Sequence, residues 1–155
     1  MTRVLVIGYG NPLRSDDGLG WQVALDLLRT STSPDVEILP CRQLTPELIE
    51  AISNAGTVIF IDCAKGDEPG QLRCEGLRAL PEPVPLTHDL TPAALLALGS
   101  ELYGVCPRAF LLSIQGANYA VGDQLSPSVS TRIAELKSMV WKLVEECLSP
   151  AESLP

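Results

Sequence analysis

Val4, Leu5, Val6 and Ile7 form an apolar run with no polar alternation, and Thr57 to Ile61 and Phe110 to Ile114 follow the same pattern. Runs of this kind suit strands buried on both faces, as in the middle of a parallel sheet. Val36, Ile38 and Leu39 make a shorter strand of the same type. Between the runs the apolar spacing changes to three and four residues: Trp21, Ala24, Leu25 and Leu28; Leu48, Ile49 and Ile52; Leu95, Leu96 and Leu98; then Val129, Ile133, Leu136, Val140 and Leu143. That spacing puts each set on one face of a helix.

Start and stop residues delimit these helices. Thr45-Pro46 and Thr91-Pro92 pair a capping hydroxyl with a proline suited to the first turn, which predicts helices over Pro46–Ser53 and from Pro92 to about Leu102. Asn54-Ala55-Gly56 is expected to close the first of these through a left-handed cap. Ser126-Pro127-Ser128 opens one continuous final helix. Gly66 to Gly70 reads as a turn and Gln71 to Cys74 as a short strand, antiparallel at an edge. Leu80 to Leu86 holds three prolines and is therefore a surface loop. Strands alternating with helices predict an α/β fold: a three-layer α/β/α sandwich around a mostly parallel, twisted sheet of about five strands. The expected organisation is one domain over residues 1–148 and a frayed tail over 149–155.

Composition narrows the picture. The 155 residues are 46% hydrophobic but only 5% aromatic, so the core is expected to be aliphatic. A formal charge of −8, with 11 scattered Lys and Arg, argues against a nucleic-acid partner. Cys41, Cys63, Cys74, Cys106 and Cys147 contain no C-x-x-C pair, which fits reduced thiols rather than a disulfide framework or a cysteine zinc site. No signal peptide is visible, and no run approaches the roughly 20 apolar residues of a membrane span. A soluble, cytoplasmic protein with no membrane partner is expected.

Candidate chemistry gathers where strands end. Asp16 or Asp17 follows the first strand, Asp62 follows the third, and His88, the single histidine, precedes the third helix. Carboxyl ends of strands in an open α/β sheet form the ligand crevice, so two carboxylates and an imidazole can converge there and suit a divalent transition metal with open positions. Aspartates at such junctions also serve as caps and Asx-turns, and His88 can bridge loop backbone. There is no G-x-G-x-x-G, no G-x-x-x-x-G-K-[ST] and no G-x-S-x-G, which leaves little support for nucleotide cradles or a serine elbow. Cys63 with His88 as base is a thiol alternative, though a buried inert thiol is the simpler reading.

The stretch Gly8-Tyr9-Gly10-Asn11-Pro12-Leu13-Arg14-Ser15-Asp16-Asp17-Gly18-Leu19-Gly20 resembles the N-terminal signature of the hydrogenase maturation proteases. Val58-Ile59-Phe60-Ile61-Asp62-Cys63-Ala64, Thr87-His88-Asp89-Leu90-Thr91-Pro92 and Leu125-Ser126-Pro127 continue the match in order. The resemblance implies an endopeptidase that trims the C-terminal extension of a nickel-iron hydrogenase large-subunit precursor. Its catalytic and metal-contacting residues fall on Asp17, Asp62 and His88, and the nickel they contact is carried by the precursor. Asp16 then organises the loop, Gly8, Gly10 and Gly18 enable its backbone, and Asn11 holds it by side-chain hydrogen bonds. Gln115-Gly116 departs from the family's usual Glu or Gln followed by Pro. A non-enzymatic nickel-binding maturation accessory protein and a small-molecule metal-dependent hydrolase are the competing readings.

Overall fold

Strand β1 (Thr2–Tyr9) lies at the centre of the molecule because both of its faces are apolar: Val4, Leu5, Val6 and Ile7 are completely buried. A computed structural model describes residues 2–81 and 90–149. After β1 come a 3-10 turn (Ser15–Gly18), α1 (Leu19–Thr30), β2 (Val36–Cys41), α2 (Leu48–Ser53) and β3 (Ala55–Ala64). Then follow β4 (Leu72–Leu77), α3 (Pro92–Tyr103), β5 (Arg108–Gln115), α4 (Pro127–Ser130) and α5 (Ile133–Leu148). The strand order is β2-β1-β3-β5-β4, parallel except for β4, which runs antiparallel to β5 at the edge.

Alternation along the inner strands divides the core in two. Val4, Val6, Ile59, Ile61, Leu112 and Ile114 pack with Val23 and Leu27 of α1 and Leu136 and Val140 of α5. Leu5, Ile7, Val58 and Phe60 point the other way, onto Ile49 and Ile52 of α2 and Leu95 and Leu96 of α3. The result is the expected α/β/α sandwich. Each such side chain contributes about 1.5–3 kcal/mol by leaving water, which explains why the period of two along each strand dictates which helix covers which face.

Several local expectations change. Thr91 does cap α3, its side chain accepting from the Ala94 N–H at 3.1 Å, with Pro92 in the first turn. Thr45 does not act in this way: α2 begins at Leu48 without a side-chain cap, and Thr45 and Pro46 instead accept backbone bonds from Leu48 and Ile49. No left-handed cap closes α2, since Asn54 is right-handed and Ala55-Gly56 already belong to β3. The parallel pairing of Ala55 with Thr2 draws those residues into the sheet. The last helix is also two helices rather than one, broken at Thr131-Arg132, with the Arg132 guanidinium donating to the Gly70 carbonyl at 3.1 Å. Strand β4 is longer than Gln71 to Cys74 and mostly exposed, as an edge strand can be. Most of the 80–86 loop and of the 149–155 tail lies outside the described residues. Among the described residues, no helix is long and apolar enough to cross a membrane.

Candidate active site

The neighbours of β1 are β2 on one side and β3 on the other, and α1 and α2 cover opposite faces of the sheet. Strand order therefore reverses at β1, and the crevice beyond the carboxyl ends of β1 and β3 is the topological switch point where open α/β sheets bind ligands. Close backbone packing builds one wall of it. A side chain on Gly20 would strike the carbonyls of Ile61 and Tyr9, so α1 can lie directly on β1 and β3 only because Gly20 lacks one. Gly10, with φ +147°, turns the chain beneath the Asp17 carbonyl in a conformation disfavoured for other residues.

The two adjacent aspartates have opposite environments. Ser15 adopts φ +52°, held by its N–H on the Gly122 carbonyl and its hydroxyl on the Ala120 carbonyl, both at 2.8 Å. Asp16 next to it is 0% exposed. Its Oδ2 accepts from the N–H groups of Ala117 (2.7 Å) and Asn118 (2.9 Å) and from the Ser126 hydroxyl (2.8 Å), while Oδ1 accepts from the Ser126 N–H at 2.7 Å. Burial pushes this carboxyl up, but the bonds from Ser126, Ala117 and Asn118 outweigh it and hold it below the usual range. Ser126 consequently spends its hydroxyl on Asp16 and does not cap α4. Asp17 is half-buried and has one anchor, the Asn11 N–H on its Oδ2 at 2.9 Å. The Asn11 side chain, as expected of a loop holder, accepts from the Leu13 N–H at 2.9 Å.

Asp62 lies inside β3 rather than after it, because pairing with β5 carries the strand on to Ala64, and its Oδ1 accepts from the Cys63 N–H at 2.7 Å. Burial raises its carboxyl to about 6, and the charge of Asp17 adds to the rise, against hydrogen bonds from Tyr9 and Cys63 and the nearby Lys65 cation. Tyr9 is raised well above the ordinary phenol value by burial and by Asp62, so it stays protonated as a donor. Asp17, Asp62, Tyr9 and Ser113 line one open cavity of about 590 Å3. Leu90 lines it too, whereas His88 lies outside the described residues. Among the described residues, no three His, Cys, Asp or Glu side chains form a metal-holding group.

Solved structures share this architecture over nearly the whole chain. The hydrogenase maturating endopeptidase HybD from E. coli has a TM-score of 0.77 at 25% identity, over 94% of this chain and 93% of that one. The NiFe hydrogenase maturation protease HycI from Thermococcus kodakarensis KOD1 has a TM-score of 0.70 at 27% identity, over 96% and 94%. These neighbours bear out the resemblance to the hydrogenase maturation proteases. A hydrogenase 2 maturation peptidase from a Thaumarchaeota archaeon shares the fold at a TM-score of 0.71, with 22% identity over 93% of this chain and 99% of that one. Neither a protein-family model nor a curated protein matches the chain by sequence.

Within this maturation-protease fold the thiol alternative loses its support. Cys63 is buried, its sulfur 3.6 Å from the Tyr119 hydroxyl, and burial together with neighbouring aspartates raises its thiol to about 11. A thiol held protonated in this way is a poor nucleophile. All five cysteines are unpaired, and Cys74 and Cys106 are exposed rather than apolar filling.

Other cavity residues were invisible to motif reasoning. Sheet register aligns Asp62 with Ser113, and Ser113 with Arg73 on β4, so residues distant in sequence share one row of the sheet. Arg42 and Lys65 follow the ends of β2 and β3 and line the same cavity. Gln115 accepts from the Glu68 N–H at 2.9 Å and donates to the Gln71 side chain at 2.8 Å, fastening the turn between β3 and β4. The one available signal was position: each of these residues sits at or just past the end of an apolar strand, or on the edge strand.

Proposed function

We propose that this protein is an endopeptidase that removes the C-terminal extension of a nickel-iron hydrogenase large-subunit precursor after nickel insertion. The observation that carries the reading is the pair Asp17 and Asp62, delivered to one cavity from the 3-10 turn after β1 and from the end of β3, each with one oxygen fixed by a backbone N–H. The likeness to maturation endopeptidases over more than nine-tenths of both chains supports it. On this reading Asp17, Asp62 and His88 contact nickel presented by the precursor. Carboxylates and an imidazole suit such a borderline cation, and a three-ligand set leaves positions for the donors that the precursor supplies.

Hydrolysis then needs a polarised carbonyl and an activated water. The substrate's metal serves the first need. A carboxylate oxygen of the cavity that the metal leaves free accepts the proton of that water, as a general base does. No covalent intermediate is required. Five unpaired cysteines agree with action in the cytoplasm.

The test is incubation of the purified protein with precursor prepared with and without nickel, read by intact mass. Truncation of the nickel-loaded form alone is expected. Binding without truncation would turn the reading to an accessory protein, and truncation regardless of nickel would overturn metal recognition.

A further inference from the structure

The cavity that holds Asp17 and Asp62 is also lined by Arg42, Lys65 and Arg73, three of the chain's 11 basic residues in a protein of net charge −8. They come from three separate elements, after β2, after β3 and on β4. Among the described residues none of the three belongs to an ion pair. Lys65 instead holds its ammonium 5.8 Å from the centre of the neutral Tyr119 ring. Arg73 aligns with Ser113, which aligns with Asp62, so its strand position lies in the same row as the acid pair. Strands β3 and β4 flank β5 and are about 10 Å apart, a span that two long side chains can close onto one group.

We propose that Lys65 and Arg73 form a carboxylate-binding subsite on the β4 side of the cleft, holding an anionic group of the peptide while Asp17 and Asp62 face the scissile region. The inference deepens the endopeptidase reading and rests on it for the identity of the peptide. A planar guanidinium offers two parallel N–H donors to a carboxylate, and the ammonium adds a compact charge from the opposite side. Asp17, Asp62 and Glu75 line the same cavity, so the attraction for an anion belongs to the Lys65 and Arg73 groups at short range and not to the cleft as a whole. Two sources carry the same chemistry: the terminal α-carboxylate of the extension, or an Asp or Glu side chain within it.

The test measures binding rather than cleavage. A fluorescein-labelled peptide with the C-terminal extension of a nickel-iron hydrogenase large-subunit precursor is titrated with full-length protein, without nickel, by fluorescence anisotropy. Three forms are compared: free acid, C-terminal amide, and one with its Asp and Glu replaced by Asn and Gln. For the free acid, Arg73→Gln combined with Lys65→Gln is expected to weaken binding about 10-fold or more, the scale of losing charge-assisted hydrogen bonds. Exactly one altered peptide should bind wild-type protein just as weakly and be indifferent to the substitutions, which names the source. Equal weakening of all three peptides, no weakening, or no saturable binding by wild-type protein overturns the subsite. Both substituted residues are exposed, so unchanged urea midpoints are expected. Carboxylate discrimination without any trimming of nickel-loaded precursor counts against the endopeptidase reading alone.

Discussion

Replacing each of the adjacent aspartates by asparagine should produce opposite phenotypes. In Asp16→Asn, the better amide orientation keeps the three contacts now made by Oδ2 and turns an NH2 group onto the Ser126 N–H; the other orientation sets the NH2 group against the three donors that Oδ2 now serves. One buried donor left unpaired costs about 1–3 kcal/mol, and the remaining bonds lose their charge assistance. The expected destabilisation is about 3 kcal/mol, or roughly 10 °C in melting temperature for a chain of this size. Asp17→Asn can keep its single bond from Asn11 and should cost less than about 1 kcal/mol while abolishing processing. Urea unfolding followed through Trp21 and Trp141, beside the precursor assay, separates the two.

Acid adds a second readout. The Asp16 carboxyl is held below its unfolded value, so its contribution is present above about pH 4 and is lost as pH falls through the lower folded value. Wild-type protein should therefore lose stability on acidification that Asp16→Asn has already forfeited. Equal urea midpoints for Asp16→Asn and Asp17→Asn at pH 7, or parallel acid profiles for Asp16→Asn and wild type, would refute the assignment of structural and chemical roles.

Asp62→Asn should be inactive yet more stable at pH 7 by about 2 kcal/mol, because a carboxyl raised to about 6 contributes stability at low pH that is lost as pH rises through that value. Urea midpoints of the variant and wild type should converge below pH 4, and a less stable variant at pH 7 contradicts the argument. Cys63→Ala should keep processing within a few-fold, since a thiol raised to about 11 takes no part in attack; loss of activity in correctly folded protein revives the thiol mechanism. Gly20→Ala should cost more than about 3 kcal/mol, because its methyl group meets the Ile61 and Tyr9 carbonyls in packed backbone, and near-native unfolding midpoints would show that α1 can shift.

Local chemistry made much of this protein legible in its sequence. Val4 to Ile7 and Thr57 to Ile61 can be satisfied only by burial on both faces, and Thr91-Pro92 carries its own cap and first turn, so strands and helix appear where their side chains require them. That Asp17 lies in the loop after β1 and Asp62 near the end of β3 follows from the same order. What tertiary structure alone decided is which aspartate is buried and which is open. The partners that claim Asp16 are Ala117, Asn118 and Ser126, roughly a hundred residues away, and Asp16 in turn takes the Ser126 hydroxyl from its helix. Arg73 likewise reaches the row of Asp62 only through two strand pairings. Hydrogen bonds and sheet register act through space, and a chain read along its length shows residues able to make them without showing which residues will meet.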